Sequence, residues 1–65
     1  MAKIKVGDKV RSKENHELLQ VSRRNVGVVK SIYRVGKNYY DVEVKFRHKI
    51  GTTIFQYDEL KKVKR

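Results

Sequence analysis

The chain contains no cysteine and no proline. Without cysteine there is no disulfide to staple a small fold, a lack that fits a reducing compartment. Zinc is excluded on the same ground: His16 and His48 are the only histidines, far apart, and two imidazoles do not close a structural site. No stretch is apolar enough for a signal peptide or a membrane-spanning helix. No basic amphipathic helix of useful length is present to lie on a lipid surface. The chain is therefore read as soluble and cytoplasmic, with no membrane partner. Also missing are a glycine-rich phosphate loop, a serine or cysteine beside a base, and an acidic metal cluster. The inventory argues against an enzyme and implies no cofactor. Proline's absence removes one device that protects sheet edges, and lysines on the edge strands can take its place.

What remains is short and basic. With 65 residues there is room for one domain, spanning 1–65. A domain of this size buries only roughly 60% of its unfolded surface, so its stability depends on good packing. Seventeen Lys and Arg stand against seven Asp and Glu, a formal charge of +10. That exceeds the roughly 2–8 that solubility asks of a small domain. Such a field attracts phosphate backbones or acidic protein faces.

Where hydrophobic periodicity is clear it is two, the signature of strands. Ile4, Val6 and Val10 alternate with Lys3, Lys5, Lys9 and Arg11. They predict a first strand from about Lys3 to Lys13, bent at Gly7-Asp8. The alternation already begins at Met1 and Ala2. Glu14 to Arg24 is too short and weakly capped for a helix. It reads as a long loop whose Leu18, Leu19 or Val21 tucks over a barrel mouth. Residues 25–33, rich in valine, form a second strand. A turn follows at 35–38, with Gly36 and Asn38 suited to positive φ. From Tyr40 to Phe46 the alternation is cleanest, so one face is buried and the other wet. Gly51 centres a hairpin turn. A fourth strand covers Thr53–Gln56, and Tyr57–Leu60 makes a 3₁₀ or α turn. A last short strand covers Lys61–Val63, and Lys64-Arg65 is expected to fray. The expected core is Val6, Val10, Val29, Ile32, Tyr40, Val42, Val44, Phe46, Phe55, Leu60 and Val63.

The order of these elements carries a resemblance. Val6-Gly7-Asp8-Lys9-Val10-Arg11 looks like the opening strand of small SH3-like barrels. Gly27-Val28-Val29-Lys30-Ser31-Ile32 and Tyr40-Asp41-Val42-Glu43-Val44-Lys45-Phe46 resemble the next strands of KOW-type modules. Phe55 to Val63 is similar to their closing segment. The motifs span nearly the whole chain. The resemblance implies an all-β, five-stranded SH3-like barrel with one short helical turn before the last strand. It extends to KOW modules of ribosomal and transcription proteins and to small SH3-like accessory subunits that dock on other proteins. What it implies is binding, with the ligand left open.

The densest basic stretch runs from Arg23 to Lys49. Its cations are Arg23, Arg24, Lys30, Arg34, Lys37, Lys45, Arg47 and Lys49, interrupted by Asp41 and Glu43. Cations spaced along a sheet, with aromatics between them, suit phosphate tracking and base stacking. Tyr33 and Tyr39 flank the turn and can stack on bases or close the hairpin as cross-strand partners. Asp41 and Glu43 are expected to pair with neighbouring cations such as Lys30. Asp58 and Glu59 are expected to cap the backbone of their turn, and His48 to be a solvated polar group. The leading reading is a nucleic-acid-binding protein, DNA or RNA, that contacts mainly phosphates. The alternative is an adaptor for an acidic protein partner, favoured if Leu18, Leu19, Ile50 and Ile54 form exposed apolar surface. A homodimer through an open strand edge fits either.

Overall fold

The computed structural model describes residues 3–63. The alternation at Met1 and Ala2 and the fraying at Lys64 and Arg65 lie outside them. The fold is all-β: β1 (Lys9–Ser12), β2 (Val26–Arg34), β3 (Tyr40–Phe46), β4 (Thr52–Gln56) and β5 (Leu60–Lys62), with a 3₁₀ turn (Tyr57–Glu59) between the last two strands. All five strands form one antiparallel sheet in the order β4-β3-β2-β1-β5.

The expected barrel is not closed, and strand direction explains why. β4 is antiparallel to β3, and β5 is antiparallel to β1. Followed across the sheet, these pairings make β4 and β5 run the same way. Parallel neighbours need a crossover of roughly a dozen residues, and only the 3₁₀ turn lies between this pair. The two strands therefore follow end to end and leave an open seam. The same short link forces the sheet to curl. Laid flat, the edge strands would stand roughly 19 Å apart, four spacings of about 4.8 Å. The link from Gln56 to Leu60 rises only about 8 Å at the 3₁₀ spacing.

Two features of β2 permit the curl. At Gly27 an added Cβ would stand 2.3 Å from Val44 Cγ1 and 2.9 Å from Phe46 Cε1. The missing side chain is the space those two residues fill. Between Val29 and Ser31 the register shifts, leaving Lys30 as an extra residue in β2. A bulge of this kind bends its strand and increases the local twist. It also switches the inward side chains from Gly27 and Val29 to Ile32, which pairs with Val42.

The core is Ile4, Val10, Val21, Val29, Val42, Val44, Phe46, Phe55 and Leu60, with Phe46 and Phe55 edge to face, ring centroids 6.0 Å apart. Leu19, Ile32 and Tyr57 pack against it partly buried. Most of the expected core is here. Val6 is not, being 62% exposed. The chain turns at Val6-Gly7, with Gly7 at φ +96°, and the Lys5 amide donates to Asp8 Oδ2 at 2.9 Å. The first strand therefore starts at Lys9, not Lys3, and Ile4 fills the core in place of Val6. Tyr40 is also exposed, at the hairpin end of β3, and Val63 is only half-buried. The 35–38 turn uses no positive φ at Gly36 or Asn38, whereas Gly51 does, at φ +79°.

The long loop folds as anticipated in outline. His16 and Val21 form a two-way backbone bridge, Val21 is buried, and Leu18 is left fully exposed. Gln20 closes this small hairpin in the left-handed region, at φ 57°. The turn after β3 pins the loop. His48 Nε2 meets the Gln20 carbonyl at 2.8 Å, and Lys49 donates to the Leu19 carbonyl. His48 is exposed, as expected of a solvated polar group, and it also anchors the loop through that contact.

Gly27→Ala is expected to destabilise the fold by about 1–3 kcal/mol through overpacking. Adding Val44→Ala should return part of that loss, giving a non-additive cycle in urea unfolding. Strict additivity would mean that Gly27 does not set the approach of β2 to β3.

Candidate nucleic-acid interface

Alternation places one set of side chains of every strand on the outer face, away from the core. On β1 these are Lys9 and Arg11. On β2 they are Val26, Val28 and the bulged Lys30, and on β3 Asp41, Glu43 and Lys45. The registers set Lys9 beside Val28, Val28 beside Lys45, and Arg11 beside both Val26 and Lys61. One shallow depression results, with Val26 and Val28 as its floor and Lys9, Lys30, Lys45 and Arg47 around it. A second adjoins it through β1 and is lined by Arg11, Ser12, Lys13, Arg23, Arg24 and Lys61. Neither has a carboxylate in its lining.

The residues singled out from the sequence thus separate. Lys30, Lys45 and Arg47 reach the first depression, and Arg23 and Arg24 the second. Lys45 has a second task, donating to the Phe46 carbonyl at 2.7 Å and to that of Lys49. Lys49 is committed to the loop and leaves the face. Arg34 folds onto its own turn, donating from Nε to Gly36 O at 3.2 Å and from Nη2 to Lys37 O at 3.3 Å. With Lys37 and Tyr39 it stands at the β2–β3 hairpin, away from the two depressions. Tyr33 lies on the outer face, where its hydroxyl donates to Glu43 Oε1 at 3.1 Å.

Four contributors were missed: Lys9, Arg11, Lys13 and Lys61. Their outward alternation was visible in the sequence, but only the β1–β2 and β1–β5 registers bring them to Arg23, Arg24 and Lys30. The acidic residues also differ from expectation. Glu43 takes hydroxyl donors from Thr52 and Tyr33 instead of a cation. Those bonds hold its carboxyl below the usual value, Thr52 contributing most. Asp8 is lowered as well, first by the Lys5 amide and then by Lys62, whose ammonium is 3.4 Å away. Glu59 caps its turn as expected, accepting the Gln56 amide at 2.8 Å. Among the described residues no three His, Asp or Glu side chains gather to hold a metal ion. No helix there is long and apolar enough to cross a membrane.

The lowered carboxyls fix a direction for acid stability. Each binds its proton less readily folded than unfolded. Its contribution is full above about pH 4, the unfolded range, and is lost as pH falls through the lower folded values. The melting temperature should therefore fall on acidification below about pH 4. The Asp8→Asn, Glu43→Gln double variant should show a shallower fall, and an unchanged acid slope would contradict this.

Comparison with protein-family models, curated proteins and solved structures finds no match to this chain.

Proposed function

We propose that the protein binds nucleic acid through the outer face of its sheet, contacting mainly phosphates and reading little sequence. One observation carries the reading: two adjoining cationic depressions whose linings contain no carboxylate. Paired strands hold Lys9, Arg11, Lys30 and Lys61 at fixed spacing, so part of the cost of ordering them is met in folding. Outward residues two apart on a strand are separated by about 7 Å, close to the repeat of phosphates along a single strand. Glu43 is engaged with Tyr33 and Thr52, beside the cationic area. The resemblance to KOW-type modules and the net charge of +10 support the same reading.

A second reading rests on a separate observation. Leu18 and Ile50 are fully exposed, and Ile54 is 57% exposed on the outer face of β4. Leu18 and Ile50 belong to segments tied together by Lys49 and His48. An acidic partner protein with an apolar contact could dock at that end. Such an adaptor would co-purify with one partner, and Ile50→Ser would release it.

Titration of labelled DNA and RNA against salt tests the first reading. Neutralising about five phosphates predicts a slope of log affinity on log salt of about −4.5 on duplex DNA. Arg11→Glu with Lys61→Glu should weaken binding and flatten the slope while the fold persists. Failure to bind either nucleic acid at low salt would reject it.

A further inference from the structure

A cleft of about 500 Å³ opens where the β2–β3 hairpin, the segment before β1 and the 3₁₀ turn meet. It does not share a lining residue with the two cationic depressions. Its apolar side is built from Ile4, Ile32 and the rings of Tyr39, Tyr40 and Tyr57. Tyr57 is fixed, because its hydroxyl accepts the Ile4 amide at 2.7 Å. Tyr40 leans on it with ring centroids 6.1 Å apart and planes 58° apart. Tyr39 is 68% exposed, so its ring is open to a ligand. We infer that this cleft takes an unpaired nucleobase, making the protein a binder of single strands in preference to duplex.

The surroundings choose this occupant. Lys3 lines the cleft, and Arg34 and Lys37 belong to the hairpin that supplies Asn38 and Tyr39. Cations beside an exposed aromatic ring suit a base with its phosphate. Asn38, Gln56 and Asp58 offer amide and carboxylate groups to the polar edge of a base. A cationic ligand fits less well. Tyr40 and Tyr57 pack on each other instead of standing apart around a charge, and the net charge of +10 repels it. A duplex keeps its bases stacked inside and must break a pair to present one, which disfavours it as an occupant.

The inference rests on the nucleic-acid reading above, and one experiment separates the two. A labelled single-stranded oligodeoxythymidine of about 12 nucleotides, its uridine counterpart and a DNA duplex of equal length are titrated at one salt concentration. The wild type should prefer the single strands. Tyr39→Ala should weaken them about tenfold to a hundredfold and leave the duplex unchanged. Tyr39→Phe should restore the binding, because it keeps the stacking face. If the wild type binds all probes and Tyr39→Ala changes none, or all equally, the cleft assignment fails alone. If the wild type binds no probe, the nucleic-acid reading falls with it.

Discussion

Three residues of 3₁₀ helix carry the chain from one edge of the sheet to the other. That link is too short to span five flat strands and too short to bring β5 beside β4 as a parallel neighbour. The sheet must curl, yet it cannot close. Curling gathers Val10, Val29, Val42, Val44, Phe46, Phe55 and Leu60 on one concave side. The convex side carries Lys9, Arg11, Lys30, Lys45 and Lys61 alongside Val26, Val28, Tyr33 and Ile54. Gly27 and the bulge at Lys30 make the bend sterically possible, and the bulge presents Lys30 on the same outer face as Lys9 and Lys45. The fold and the proposed interface therefore depend on one constraint.

The edges answer the lack of proline unevenly. β5 carries Lys61 and Lys62, and Lys62 is paired with Asp8. β4 carries no charged residue at all, and Ile54 projects from it. Lysines thus guard one edge and not the other. The long loop and the turn after β3 are tied by side chain to backbone bonds from His48 and Lys49, which spend polar groups on architecture that their sequence position suggested were free.

Strands and most of the core were legible in the sequence, because period-two alternation from Tyr40 to Phe46 admits one reading. The three-residue step from Val29 to Ile32 even held the trace of the bulge, since an unbroken strand would separate inward residues by an even number. Val6 misled because alternation was carried through Gly7, where a positive φ turns the chain. The candidate site was legible only in part. Counting charges along the chain selected Arg23 to Lys49, but pairing across the sheet decides which cations meet. Arg34 and Lys49 were removed by hydrogen bonds to carbonyls that have no local signature. Lys9, Arg11 and Lys61 were added by registers that join the two ends of the chain. The grouping of Tyr39 and Tyr40 with Tyr57 has the same long-range origin.

The central claim is that polyanions meet the outer face of β1, β2 and β5. Backbone amide shifts followed by NMR during titration with a short oligonucleotide test it most directly. The account predicts the largest changes at Lys9, Arg11, Val28, Lys30 and Lys61, weakening with added salt. Changes confined to Leu18, Ile50 and Ile54, or none at low salt, would contradict it.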